Sequence, residues 1–304
     1  MSFEDKFNTI KAVVKDDLDS FESEIGNLFL DKNPLNKDLK EFLTAPAKRL
    51  RPLLGFLFIK SLFGEINSAQ KDVLLAIELI HNATLIHDDV IDDADKRRKQ
   101  ETLNVKFDDN LAVVAGDFLL SVAMEKVISA GSIEVIKLCT SALKSTCVGE
   151  INQYFSKFNI TTIDEYIEKS KNKTALLFQI SVLGALLLCD KSVDEAMKQK
   201  AIDFSQNFGI AFQIRDDLIN ILNAGNDVEL GIYTAPVIFA SQENENILKE
   251  KNIVDAIKAT KGIEKTKNLM DNYFNKSIQA IEKFENNVYK QSITGLIDLL
   301  KETI

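Results

Sequence analysis

Between about residues 72 and 87 the chain carries Val73, Leu74, Ala76, Ile77, Leu79, Ile80, Leu85 and Ile86. These residues surround too much of a helical wheel for any surface position. A helix that is apolar nearly all round has to run through the middle of a protein with other helices packed about it. Residues 111–128, 133–155, 174–189 and 201–222 show the same character, with Pro34, Pro46, Pro52 and Pro236 as punctuation. Gly (12) and Pro (4) are scarce, and 45% hydrophobic content over 304 residues is enough to bury a large core. No internal repeat, low-complexity stretch or linker divides the chain. The expected fold is all-α, a single large helical bundle domain over residues 1–304.

The central helix runs into His87-Asp88-Asp89-Val90-Ile91-Asp92-Asp93-Ala94-Asp95-Lys96-Arg97-Arg98, five carboxylates followed by a basic cluster. Asp88 and Asp92 are four residues apart and share one helical face, with Asp89 beside them. Like charges at that spacing repel, and a divalent cation between them reverses the sign. Oxygen ligands with no Cys or paired His nearby suit a hard cation such as Mg2+, which shares its coordination with substrate phosphates. Arg97 and Arg98 offer forks for phosphate oxygens. A mixed charge run of this kind also suits a solvated helix end. A second constellation tips the balance: Phe212-Gln213-Ile214-Arg215-Asp216-Asp217-Leu218-Ile219-Asn220 again sets two adjacent acids after an apolar helix. Two such helices facing each other could grip a metal–diphosphate cluster.

With these motifs in view, the chain resembles the trans-polyprenyl diphosphate synthases over essentially its whole length. Lys48-Arg49-Leu50-Arg51-Pro52 is similar to the family's lysine–arginine segment, with Pro46 and Ala47 where glycines are usual. His87 to Asp92 resembles the first aspartate-rich motif, followed by Arg97-Arg98. Gly116-Asp117-Phe118, Gly149-Glu150-Ile151-Asn152-Gln153, Lys173-Thr174-Ala175 and Phe212 to Asp217 follow in the family's order. The resemblance implies a bundle of the isoprenoid synthase type with a central cavity, and a head-to-tail condensation of an allylic diphosphate with isopentenyl diphosphate. It implies that Asp88, Asp92 and Asp216 are the Mg2+ ligands, with Arg97, Lys173, Thr174 and Gln213 assisting at the allylic diphosphate. Lys48, Arg51, His81 and Arg98 would bind the second diphosphate as cations and hydrogen-bond donors. It also suggests a homodimer. The small residues Ala83 and Thr84, one turn before Asp88, leave a path open along the helix for a growing chain, with a floor deeper down at Ile80, Ile77, Met124 or Val127. That favours a long-chain product of the octaprenyl or solanesyl type over a short farnesyl or geranylgeranyl one.

Other features set bounds. Gln179 and Ser181 interrupt the apolar run at 175–189, which is too short to span a bilayer, and no signal-peptide pattern opens the chain, so a cytoplasmic protein without a stable membrane anchor is expected. Cys139, Cys147 and Cys189 form no C-x-x-C pair and read as reduced core thiols. A net charge of -9 argues against nucleic acid as a partner. It leaves a diphosphate open, because local charge at Lys48, Arg51, Arg97, Arg98 and Lys173 matters more than the sum. The two histidines, His81 and His87, are six apart and do not make a helical metal pair. On spacing alone each suits a hydrogen-bonded structural role, and the motif context singles out only His81.

Two departures stand out. The last acid of the second motif is Asn220. The lysines expected soon after that motif are absent from the shortened loop before Gly231-Ile232-Tyr233-Thr234-Ala235-Pro236, although a Thr-Ala-Pro version without lysine is similar to solanesyl-type members. These departures motivate a rival reading, a non-catalytic or regulatory subunit, and the Asp motif alone also suits a terpene cyclase. Lys48, Arg51 and His81 argue against the cyclase, which has no second diphosphate to bind. In the family the last position of the second motif acts largely through water, so Asn220→Asp is expected to change the rate of isopentenyl diphosphate turnover only modestly. Restoration of a dead protein by that substitution would favour the regulatory subunit.

Overall fold

The computed structural model describes residues 2–28, 34–98, 100–223 and 225–304 of the chain. At its centre lies the helix Ser68–Ile91, opened by a reciprocal cap in which Asn67 and Gln70 exchange side-chain and backbone hydrogen bonds. Val73, Leu74, Leu75, Ala76, Ile77, Leu79 and Ile80 are wholly buried along it, as its all-round apolar pattern requires. It packs most extensively against Asp109–Ser129, and Lys126 reaches back to Asp72 at 2.7 Å. Leu50–Phe63 lies alongside, starting at the Lys48–Pro52 segment and ending at Gly64, whose left-handed φ of 78° closes the helix. Pro52 sits in the first turn of that helix, where its missing N–H costs nothing.

The longest helix, Glu195–Asn223, packs chiefly on Gly262–Ala280. Phe208 meets Phe178 edge-on at 5.1 Å and Phe274 at 5.8 Å, while Phe204 stacks on Phe58 at 5.3 Å. These rings knit four helices together. One apolar cluster runs from Phe7 to Leu300, with a small satellite around Ile221, Val237 and Ile257. The architecture is the all-α bundle that the periodicity predicts, with the cavity that the family resemblance implies.

Some expectations need correction. No helix starts at Thr174. One begins at Ile163 behind a capping box of Thr162 and Glu165 and continues through two widened π turns, Lys171–Ala175 and Ile180–Gly184. Just after the first Asp motif, Lys96–Arg97 pairs with Gln100–Glu101 as a two-residue antiparallel ladder, a feature too short for any periodicity to announce. The core-thiol expectation holds for Cys139, whose pKa burial pushes up to about 12, but Cys147 is exposed and Cys189 lies between. Among the described residues no helix is long and apolar enough to cross a membrane.

Gly209 sets the distance between the two helices that matter most for function. A Cβ there would lie 2.4 Å from Ala175 Cα and 2.7 Å from Ala175 Cβ, so only glycine lets the π turn with Lys173 and Thr174 approach the helix that bears Gln213 and Asp216 so closely. Gly209→Ala is therefore expected to destabilise the protein by about 1–3 kcal/mol in urea denaturation, despite alanine's better helix propensity.

Candidate active site

Between the ends of these helices opens a cavity of about 470 Å³, and Lys48, Arg51, His81, Thr84, Asp88, Arg98, Lys173, Thr174, Gln213 and Asp216 all line it. Three residues expected at the site lie elsewhere. Asp92, at the C-cap of its helix, lines an adjoining cavity of about 130 Å³ that shares Lys173 and Gln213 with the first. Ala83 is fully buried and lines neither. Arg97 is held by Asp89, which takes two hydrogen bonds from Nε at 2.7 and 2.9 Å and a contact from Nη2 at 2.7 Å. The expected fork for phosphate is thus engaged in bracing the ladder against the helix end. Asp89, buried and paired, is not available as a free ligand.

The acidic wall is electrostatically unsettled. Burial pushes Asp88 up to about 6, with Lys173 opposing the shift and Glu150 and Asp92 adding to it. Lys173 Nζ is 2.5 Å from Glu150 Oε1. Burial works against its charge, but Asp88 and Glu150 outweigh that, and its pKa is raised. Across the cavity, burial also raises Asp216, against the pull of Arg215 and Lys48. Arg215 donates to Asp216 Oδ1 at 3.1 Å while its other nitrogens are held by Leu300 O at 2.9 Å and Thr303 Oγ1 at 2.6 Å. Beside it Thr174 Oγ1 donates to Gln213 Oε1 at 2.5 Å, Gln213 Nε2 to Asp217 Oδ1 at 2.8 Å, and Tyr166 Oη to Asp217 Oδ2 at 2.5 Å. That chain fixes Thr174 and Gln213 in place and satisfies Asp217. Burial nonetheless drives Asp217 up to about 7, against the lowering effect of those two donors.

The opposite end is cationic. Arg51 lies over the Phe178 ring at 4.9 Å and Lys48 over the Phe3 ring at 4.6 Å. Burial lowers Arg51 to about 10. Two buried donors, Arg51 Nε and Arg98 Nη1, have no hydrogen-bond partner among the described residues. Arg98 is also held in the left-handed region, at φ 51°. His81 sits among these cations, and burial, then Arg51 and Arg98, lower its pKa well below 6.5. It is therefore a neutral hydrogen-bonding group at neutral pH, not a fourth cation beside Lys48, Arg51 and Arg98. His87 faces away. Its Nε2 is 3.2 Å from Val113 O, and the ring fills the space that a side chain at Gly116 would take.

A hard divalent cation fits the acidic end. The charged ligands there are carboxylates, the half-buried Asp88 has its pKa raised, and among the described residues no three acids, His or Cys converge closely enough to hold an ion by themselves. Such a wall suits a cation that completes its shell with substrate oxygens.

Several functional neighbours escaped the sequence reading. Asp227 lines the smaller cavity with Asp92 and Lys169, whereas Asn220 lines neither cavity and its carbonyl accepts from Gly225 N at 2.8 Å. The only signal for Asp227 is an acid in the loop after the second motif. Glu150 lines the larger cavity and is the ion-pair partner of Lys173.

The chain and its fold have counterparts among known proteins. The profile of the polyprenyl synthetase family matches residues 32–273. A prenyl transferase of Cyanidium caldarium is 32% identical over 94% of this chain and 96% of its own length. Solanesyl diphosphate synthase 2 of Arabidopsis thaliana, a chloroplastic protein, is 36% identical over 80% of this chain, which spans 61% of that longer protein. Among solved structures, a heptaprenyl diphosphate synthase from Staphylococcus aureus superposes with a TM-score of 0.89 at 25% identity, covering 95% of this chain and 98% of that one. A decaprenyl diphosphate synthase from Rhodobacter capsulatus, at 23% identity, has the same fold with a TM-score of 0.89 over 97% and 98% of the two chains. With a profile match over most of its length and a relative aligned nearly end to end, the chain belongs to the polyprenyl synthetase family.

Proposed function

We propose that this chain is a prenyltransferase that condenses an allylic diphosphate with isopentenyl diphosphate, head to tail, into a long-chain all-trans polyprenyl diphosphate. One observation carries the reading: a single cavity has a carboxylate wall of Asp88 and Asp216 at one end and, at the other, buried guanidinium donors of Arg51 and Arg98 with no partner. A cyclase needs the first end only. Two diphosphates need both.

Asp88, Asp92 and Asp216 would hold Mg2+, which supplies charge neutralisation to the departing allylic diphosphate. Lys173, already drawn toward Asp88 and Glu150, adds a fixed positive charge beside that leaving group. Thr174 and Gln213, locked to each other, present preset polar groups to it. Lys48, Arg51 and Arg98 bind the second diphosphate by charge, and neutral His81 by hydrogen bonding, which leaves the isopentenyl double bond directed at the allylic carbon.

Long-chain relatives and the small side chain of Thr84 support the product class. Thr84 lines the cavity, its hydroxyl turned back to donate to His81 O at 2.8 Å. A homodimer is supported by apolar side chains left bare on adjacent helices, including Val113 and Val114 on Asp109–Ser129 and Ile151 and Phe155 on Ile133–Ser156. We assign the activity to the cytoplasm, with Mg2+ as the working ion and residues 1–304 acting as one domain.

Labelled isopentenyl diphosphate supplied with farnesyl diphosphate and Mg2+ tests the reading. The wild type is expected to incorporate label, and folded Asp88→Asn and Asp216→Asn to lose about a hundredfold or more of the rate. No turnover by a folded wild type would favour the regulatory subunit, and near-normal turnover by Asp88→Asn would remove the metal assignment. Product length is tested separately with Thr84→Phe, checked first for folding because overpacking costs about 1–3 kcal/mol. Its products, resolved by chromatography, are expected to be shorter than those of the wild type, and unchanged products would refute the open path along the helix.

A further inference from the structure

Arg49 stands between Lys48 and Arg51, yet its charge is spent inside the protein. Its side chain is 3% exposed. Nη1 donates to Glu78 Oε1 at 2.9 Å, Nε to Glu22 Oε1 at 2.8 Å, and Nη2 to Glu22 Oε2 at 3.1 Å and to Leu43 O at 2.5 Å. One planar fork therefore ties together Lys15–Asn27, the end of Asn36–Thr44, the central helix and the start of Leu50–Phe63. The Arg49 backbone is left-handed, at φ 50°, and its carbonyl accepts the first helical hydrogen bond from Leu53 N at 2.9 Å. A non-glycine residue keeps that conformation only where its surroundings over-determine it.

A buried ion pair is an inefficient way to gain stability, because both charges lose water. What this one achieves is geometric. A guanidinium held by both oxygens of Glu22 and one of Glu78 cannot rotate, so the chain direction at residue 49 is fixed. Lys48 on one side and Arg51 on the other are thereby aimed at the cavity. It also selects which cations stay free. Among the described residues Lys48 and Arg51 make no carboxylate ion pair and rest instead on the faces of Phe3 and Phe178, while Glu22 and Glu78 neutralise the cation between them.

We propose that Arg49, gripped by Glu22 and Glu78, is the positioning residue of the isopentenyl diphosphate site, and that Glu22 makes the N-terminal helix Lys15–Asn27 part of that site's support. Glu22 lies outside residues 32–273, the part matched by the family profile. The inference rests on the reading of Lys48 and Arg51 as binders of isopentenyl diphosphate.

Glu22→Gln and Arg49→Lys test it, with steady-state kinetics in both substrates and a thermal unfolding midpoint for each variant. Glu22→Gln is expected to raise KM for isopentenyl diphosphate about fivefold or more while KM for the allylic substrate and kcat stay within about twofold. Arg49→Lys, which keeps the charge and loses the fork, is expected to shift the same constant further. Should Arg49→Lys fail to fold, Glu22→Gln decides, since the Glu22 side chain is 43% exposed on a surface helix. A lowered midpoint with unchanged KM, or equal shifts in both KM values, would reduce the clamp to a structural brace and overturn the proposal. A wild type that does not turn over isopentenyl diphosphate refutes the proposed function instead, and is read before either variant.

Discussion

Asp88 is half-buried at the carboxyl end of a helix that runs through the core, and that placement creates the electrostatic problem around which the site is arranged. A helix C-terminus is the negative end of the peptide dipole, and Asp92 and Glu150 add to it, so burial with these neighbours carries Asp88 up to about 6. Lys173 is the main cation opposing that shift, with a smaller pull from Arg97, and Glu150 claims part of Lys173. The wall stays short of positive charge by construction. A divalent ion with a diphosphate is the load proposed for it, and the bare contact at Gly209 sets the widened turn of Lys171–Ala175 close against the second Asp helix.

The two ends of the cavity use opposite means to stay receptive. At the acidic end the carboxylates are underpaired, while at the basic end the guanidiniums of Arg51 and Arg98 keep a buried donor unsatisfied. An unsatisfied buried donor typically costs about 1–3 kcal/mol. Spending stability in this way makes sense where a ligand restores the missing bonds. Asp217, Tyr166, Gln213 and Thr174 show the contrasting arrangement, a closed hydrogen-bond chain that holds side chains still.

Much of this was legible in the sequence because the signals are local. Helical periodicity located the central helix, and short motifs located Asp88, Lys173, Gln213 and Asp216. What could not be read depends on contacts between distant segments. Arg97 looks like a phosphate ligand until the ladder at Lys96–Arg97 swings it onto Asp89. Arg49 looks like one more basic residue until Glu22 and Glu78, from separate helices, meet on it. Asp227 has no motif of its own, and only folding brings it beside Asp92. Cys147 shares its helical pattern with Cys139, but periodicity alone did not tell which of them faces outward.

The tether on Arg215 reaches further than its hydrogen bonds suggest. Its guanidinium is divided among Asp216, Leu300 O and Thr303 Oγ1, so the final turn of the Val288–Lys301 helix and the residues after it govern how much positive charge Asp216 receives. If that turn frays, the freed guanidinium can close fully on Asp216 and compete with the ion proposed to bind the same oxygens. The segment 300–303, remote in sequence from both aspartate motifs, thus acts as a counterweight on the charge of the second wall.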